Sequence, residues 1–135
     1  MELYLVRHAE AAPGDPDELR PLTPNGRKQA RSLGRRLRST GVRADVVLTS
    51  PLLRSRETGA LIARELGADV EVAEALAPGA TPDSVTKVVR DALDESGTVV
   101  AVGHQPDCSR IAAALTGEPG PPFPPAGSLA IRLGG

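Results

Sequence analysis

The chain has 135 residues, 40% of them hydrophobic, and its 16 Lys and Arg balance 17 Asp and Glu to a formal net charge of −1. That length suits one domain, residues 1–135, because domains run to about 100–200 residues. No apolar run approaches the roughly 20 residues that cross a bilayer, and balanced charge lacks the basic footprint of a nucleic-acid binder.

The start, Met1-Glu2-Leu3-Tyr4-Leu5-Val6, has neither the basic opening nor the long apolar stretch of a signal peptide, so a cytoplasmic protein without a membrane partner is expected. Residues 3–6 instead form the first predicted strand, continuously apolar like a strand covered on both faces. Thr23-Pro24 opens the first predicted helix, since proline at the first helical position loses no needed N–H and the residue before it can cap. Along that helix Ala30, Leu33 and Leu37 face one way, while Arg27, Arg31, Arg35 and Arg38 form an opposite row. Such a row is a solvated face or a surface that steers an acidic partner.

Residues 46–49 are a second continuously apolar strand, and Ser50-Pro51 marks a second helix start. Val70-Glu71-Val72 alternates like an edge strand. Thr81-Pro82 opens a third helix, on which Val85, Val88, Val89, Ala92 and Leu93 make one apolar stripe at helical spacing. Residues 98–102 are a third buried strand, followed by a fourth helix start at Gln105-Pro106. Residues 116–127 alone look irregular; the run Pro121-Pro122-Phe123-Pro124-Pro125 reads as a stiff connector rather than a polyproline ligand for a partner. Residues 128–133 alternate as a last edge strand. Strand and helix alternate throughout, which predicts a mostly parallel sheet sandwiched by helices.

In such sheets ligands bind beyond the carboxyl ends of the strands. After the first buried strand comes Arg7-His8, after the second Ser50 to Arg54, and after the third Gly103-His104, so both histidines and two arginines reach one rim. Two imidazoles and two guanidiniums repel one another when protonated unless an anion sits among them, and guanidinium grips phosphate with paired hydrogen bonds. A phosphoryl group is the expected tenant. Arg54 also lies in the first turn of its helix, where free N–H groups favour anions. The single cysteine, Cys108, excludes an internal disulfide and any multi-cysteine metal site, and it reads as a buried small hydrophobe rather than a nucleophile.

At these residues the sequence resembles the histidine phosphatase superfamily. Leu5-Val6-Arg7-His8-Ala9-Glu10-Ala11 is similar to its Arg-His motif, Arg20-Pro21-Leu22-Thr23-Pro24-Asn25-Gly26 to the loop into its first helix, Thr49 to Thr58 to its second arginine block, and Val102-Gly103-His104-Gln105-Pro106 to its second histidine block. The small size and Ala9, where many members carry Gly, look most like the SixA-type phosphohistidine phosphatases. The resemblance implies a phosphoglycerate mutase-like three-layer α/β/α sandwich with strand order 3-2-4-1-5 and the last strand antiparallel. It also implies that His8 is the nucleophile, that Arg7 and Arg54 bind phosphate, and that His104 steadies the transferring group.

A neutral imidazole attacks phosphorus only if held as one tautomer, which calls for a carbonyl or carboxylate on the nitrogen facing away from the phosphate. Fixed cationic donors then suffice for the spreading charge, so no metal and no other cofactor is expected. The general acid stays open. Asp17 resembles an acidic position of the small phosphohistidine group, Glu74 matches the acid of larger branches, and Glu10 is a third candidate; Arg20 either adds a phosphate contact or pairs with Asp17. Three functions compete: a phosphatase acting on phosphohistidine in a signalling or phosphotransfer protein, a small-molecule phosphomonoesterase, and a non-catalytic phosphate- or phosphoprotein-binding module. Mutase activity is disfavoured because little chain is left over for a covering lid.

Overall fold

The computed structural model describes residues 1–93 and 96–134. Strands occupy Glu2–Arg7 (β1), Val46–Thr49 (β2), Asp69–Val72 (β3), Thr98–Gly103 (β4) and Ser128–Arg132 (β5); helices occupy Pro24–Ser39 (α1), Leu53–Leu66 (α2), Pro82–Ala92 (α3) and Asp107–Thr116 (α4). The strands form one sheet in the order β3-β2-β4-β1-β5. Every pairing is parallel except that of β1 with β5, which is antiparallel. The expected order and the expected direction of the last strand are both met.

Side chains leave a strand to alternate faces, and this alternation builds two cores. Leu3, Leu5, Val46, Leu48, Val99 and Ala101 pack with Val85, Val89, Cys108 and Ile111 of α3 and α4. Val6, Val47, Val100 and Val102 pack with Leu33, Leu37, Ile62 and Ala63 of α1 and α2. The result is the three-layer sandwich, with helices on both faces of the central strands. Each fully buried Leu, Ile or Val contributes about 1.5–3 kcal/mol. Within one layer α1 and α2 approach closely: a Cβ on Gly34 of α1 would lie 2.9 Å from the Cβ of Glu65 on α2, so a larger residue there would push the two helices apart.

Two of the four proline signals mark helix starts as expected. Thr23 and Thr81 cap α1 and α3 by accepting the N–H groups of Gly26 and Ser84, with proline in the first turn. The other two are corrected. Helix α2 begins at Leu53, beyond Pro51, because the Ser50 hydroxyl accepts the Leu52 N–H in a local turn instead of capping a helix. Pro106 stands before α4 rather than in it, and the side-chain oxygen of Gln105 accepts the Ser109 N–H in the first turn. The α3 stripe holds for Val85, Val88, Val89 and Leu93, which pack in or against the core, but Ala92, the last helical residue, is exposed.

The edge strands are where the alternation placed them, although β3 is exposed on both faces, with Val70 40% and Val72 54% accessible. The irregular stretch 116–127 is tied down as a connector: Phe123 is buried in the core, and Ser109 Oγ donates to the Pro121 carbonyl at 2.6 Å. A second irregular stretch, residues 8–23, was not foreseen. It is folded on itself by the Ala11–Leu22 bridge and by N–H bonds from Ala12 to Pro21 O (2.8 Å) and from Thr23 to Glu10 O (3.0 Å). Among the described residues no helix is long and apolar enough to cross a membrane.

Candidate active site

The floor of the site is made by the ends of three neighbouring parallel strands. Arg7 closes β1 opposite Gly103, which closes β4, and Thr49 closes β2 opposite Val102. The ladder runs one step further than the strands: His8 N–H donates to Gly103 O at 3.0 Å and Ser50 N–H to Val102 O at 3.1 Å. Backbone geometry alone therefore brings His8, His104 and Ser50 to one rim. The two imidazoles, 5.2 Å apart between ring centroids and tilted by 55°, meet there as expected.

His8 Nδ1 lies 2.7 Å from the carbonyl oxygen of its neighbour Ala9. A carbonyl only accepts, so Nδ1 carries the proton and Nε2 keeps its lone pair. The Ala9 peptide is itself fixed, since its N–H donates to Thr58 Oγ1 at 3.0 Å and Thr58 in turn donates to the Arg54 carbonyl at 2.7 Å. Burial, opposed by the Ala9 hydrogen bond and assisted by Arg54, Arg7 and Arg20, lowers the His8 pKa to about 4. Burial first, then His8 and Arg54, lowers His104 to about 4 as well. Both rings are neutral at pH 7, the state a nitrogen nucleophile needs.

His104 is 4% exposed. Its Nε2 lies 2.7 Å from Ser50 Oγ, and its Nδ1 is buried with no hydrogen-bond partner among the described residues. Arg7 donates through one terminal nitrogen to the Phe123 carbonyl at 3.0 Å, while its Nε is also buried without such a partner. Buried polar groups are nearly always satisfied, so the unpaired Arg7 Nε–H and the unpaired His104 nitrogen, beside the half-buried His8 ring, describe a socket for a polar group that accepts from the guanidinium.

Arg54, its side chain 9% exposed, donates to the Asp17 carbonyl at 3.0 Å and to Asp17 Oδ2 at 3.2 Å. Arg20 donates to the other carboxylate oxygen, Oδ1, at 3.0 Å and is braced by its Nε on the Ala12 carbonyl at 2.8 Å. Asp17, 60% exposed, thus bridges both arginines, and the Arg20 hydrogen bond, then the Arg54 charge, hold its carboxyl below the usual carboxylate range. Glu74 begins the 3-10 turn Glu74–Leu76 after β3; it is exposed, and its carboxylate pairs with no described residue. Glu10 is occupied elsewhere, accepting from the Asn25 side chain at the start of α1. Burial pushes the Cys108 thiol up to about 12, consistent with an inert core residue. Among the described residues no group of three or more His, Cys, Asp or Glu side chains is placed to hold a metal ion.

Sequence reasoning missed Ser50, Thr58 and the Phe123 carbonyl. Ser50 carried a signal, since it directly follows a buried strand that neighbours the strand ending at His104, but its pairing with Pro51 read as a helix cap. The basic row of α1 is largely paired rather than free: Arg27 meets Glu57 at 3.4 Å, and Arg35 and Arg38 meet Glu65 at 3.7 and 4.0 Å, leaving Arg31 without an ion pair to a described residue.

Comparison with known proteins points the same way as this geometry. The family model described as histidine phosphatase superfamily (branch 1) matches residues 3–78. An uncharacterized protein of Picosynechococcus sp. is 38% identical over 120 residues, 85% of this chain and 73% of its own. A structure of the protein histidine phosphatase SixA complexed with tungstate superimposes with a TM-score of 0.90 at 28% identity, covering 98% of this chain and 88% of that one. A mycobacterial glucosyl-3-phosphoglycerate phosphatase shares the fold, with a TM-score of 0.72 at 18% identity over 96% of this chain and 88% of its own.

Proposed function

The chain belongs to the histidine phosphatase superfamily, branch 1, and within it we propose a phosphatase that removes phosphate from phosphohistidine in a signalling or phosphotransfer protein. The observation that carries the reading is the Ala9 carbonyl on His8 Nδ1, which leaves a neutral Nε2 lone pair in a basic socket. His8 Nε2 attacks phosphorus while the bond from phosphorus to the leaving group breaks, and the phosphoryl group rests on His8. Water then attacks the phosphohistidine, inorganic phosphate departs, and the Nε2 electron pair returns to His8. Splitting one displacement into two lowers each barrier.

The oxygens of the transferring group lie against Arg7, Arg54 and Arg20, with His104 steadying the transition state as a donor. Preorganised donors of this kind need no reorganisation as charge develops. Asp17 is the acid. Its carboxylate bridges the arginines that a phosphoryl dianion competes for. Once phosphate oxygens take those donors, the neighbouring negative charge raises the carboxyl's proton affinity from its depressed value, and Asp17 becomes able to protonate a leaving group.

The choice of phosphohistidine follows from an acid that the two arginines hold ionised until substrate arrives. An alkyl phosphoester expels an alkoxide that needs a well-placed proton, whereas phosphohistidine expels an imidazole whose conjugate acid has a pKa of about 6.5. The SixA likeness supports the same choice, and tungstate, bound by that relative, is a tetrahedral oxyanion like phosphate. The second reading, a small-molecule phosphomonoesterase, is favoured by the unpaired Glu74 carboxylate beyond β3. The test compares kcat/KM on a phosphohistidine peptide, a phosphoserine peptide and p-nitrophenyl phosphate. Preference for phosphohistidine supports the proposal. Preference for a small ester, abolished by Glu74→Gln and not by Asp17→Asn, transfers it to the second reading.

A further inference from the structure

We propose that Ser50 is a positioning residue for His104: its hydroxyl donates to Nε2, fixes the ring as the Nδ1–H tautomer and so aims an N–H at the phosphoryl group. The proposal rests on His104 serving the transfer step above, but the hydrogen-bond argument stands on its own. Ser50 is fully buried, and its Oγ already accepts the Leu52 N–H at 3.1 Å while lying 2.7 Å from His104 Nε2. Its own N–H is shared between the Val102 carbonyl at 3.1 Å and Ser55 Oγ at 3.2 Å. Ser55 Oγ in turn donates to that same Val102 carbonyl at 2.9 Å, which pins the start of α2 to the end of β4. The hydroxyl therefore stands on rigid backbone rather than on a mobile loop.

A neutral imidazole has one N–H and one lone pair, and a serine hydroxyl has one proton and two lone pairs. If Ser50 donates to Nε2, its oxygen accepts from Leu52, its proton is used, and one group is left over: the buried Nδ1–H of His104. If instead Nε2–H donates to Ser50, two groups are left over. The serine proton then has no acceptor among the described residues, and the buried Nδ1 presents a lone pair with no donor. The first arrangement strands fewer groups, and its single leftover is what a phosphoryl oxygen accepts. The second sets a lone pair against an approaching anion. A tautomer held by a neighbour is the difference between a donor and a repulsive acceptor at the reacting group.

Long-range proton–nitrogen NMR on protein labelled with 15N-histidine reads the tautomer directly and needs no substrate. The proposal expects His104 protonated on Nδ1 in the unsubstituted protein; a proton on Nε2 overturns it, whatever the variants do. In Ser50→Ala the tautomer should become mixed or move to Nε2, and kcat on p-nitrophenyl phosphate should fall about 100-fold, the scale of one lost transition-state donor, with little change in KM. Ser50→Thr keeps the hydroxyl and should restore both the tautomer and the rate. An unchanged His104 spectrum and rate in folded Ser50→Ala would reduce Ser50 to a turn residue and end the proposal. A moved tautomer with an unchanged rate would confirm Ser50's hold on the ring while removing His104 from the transfer step, so failure of the functional reading is distinguishable from failure of this one.

Discussion

The site has two halves built by different means. One is made by strand ends: His8, His104 and Ser50 follow the last residues of β1, β4 and β2, with ladder hydrogen bonds holding His8 and Ser50, and with His104 and Ser50 buried and His8 half-buried. The other is made by the irregular stretch 8–23, which carries Asp17, 60% exposed, and Arg20, 28% exposed. The comparison teaches where precision and where adaptability are located. A nucleophile needs one position and one tautomer: for His8 the sheet ladder supplies the position, and the Ala9 carbonyl, held through Thr58, supplies the tautomer. An acid must meet leaving groups that differ, and a solvent-exposed loop carboxylate can be displaced and re-protonated as a substrate arrives.

Arg54 joins the halves, and its loss is the largest expected effect outside the nucleophile. Arg54→Ala should lower kcat by about 100- to 1,000-fold, as for removal of a major electrostatic donor, and weaken phosphate binding too. Lysine should rescue poorly, because a point charge cannot reproduce the planar fork that now reaches both the carbonyl and the carboxylate of Asp17. Full activity in Arg54→Lys would show that charge alone couples the two halves.

Asp17→Asn probes the loop half by itself. It should cut alkyl phosphoester turnover by about 100-fold, the scale of a lost general acid, while costing phosphohistidine hydrolysis far less. It should also tighten binding of inorganic phosphate by about 2- to 5-fold, since a competing ion pair of the exposed kind is gone. Calorimetry and steady-state rates check the two arms. Equal losses on both substrates would make Asp17 a binding residue and erase the distinction between the halves.

The strand-end half should declare itself in pH dependence. With His8 and His104 lowered to about 4, the acid limb of kcat/KM should fall near that pH rather than near 6.5. Stability follows the same window: below about pH 6.5 the unfolded chain takes up protons that the folded histidines refuse until about pH 4. The fold should therefore lose stability as pH falls from 6.5 to 4, with no further loss from these groups below it. A titration of His8 near 6.5, followed by NMR, would mean that the imidazole is solvated and the floor of the site open.

The smallest effect belongs to the basic row of α1. Because Arg27, Arg35 and Arg38 meet glutamates of α2, only Arg31 of that row lacks an ion pair to a described residue. Arg31→Glu should slow hydrolysis of an acidic phosphoprotein by no more than a few-fold at low salt and leave p-nitrophenyl phosphate untouched. An equal change on both substrates would mean that the row steers nothing.

The strand-end half was legible in the sequence because its rules are periodic. Continuous apolar runs before Arg7-His8, Ser50 and Gly103-His104 told which strands were covered on both faces and placed the polar residues beyond them on one edge, while the strand order that makes them neighbours came from the family resemblance. The loop half was not, because residues 8–23 follow no period. Asp17 and Arg20 came from resemblance to a motif, and both their bridge to Arg54 and the Ala11–Leu22 pairing that folds the stretch on itself are displayed only by the folded chain. Ser50 and Pro51 misled for a physical reason: the same hydroxyl that suits a helix cap also suits an imidazole, and tertiary placement decided between them. The Phe123 carbonyl that braces Arg7 was invisible for another reason, since a backbone acceptor in a proline-rich connector leaves no trace in residue type.

The central claim is that His8 Nε2 carries the phosphoryl group between substrate and water. Rapid quenching of the enzyme with a 32P-labelled phosphohistidine peptide tests it most directly, followed by acid and base treatment of the trapped protein and by mapping of the labelled residue. The account predicts a base-stable, acid-labile label on His8 that forms within one turnover, decays as phosphate is released and is absent from His8→Ala. Label on another residue, or turnover that persists in His8→Ala, would contradict it.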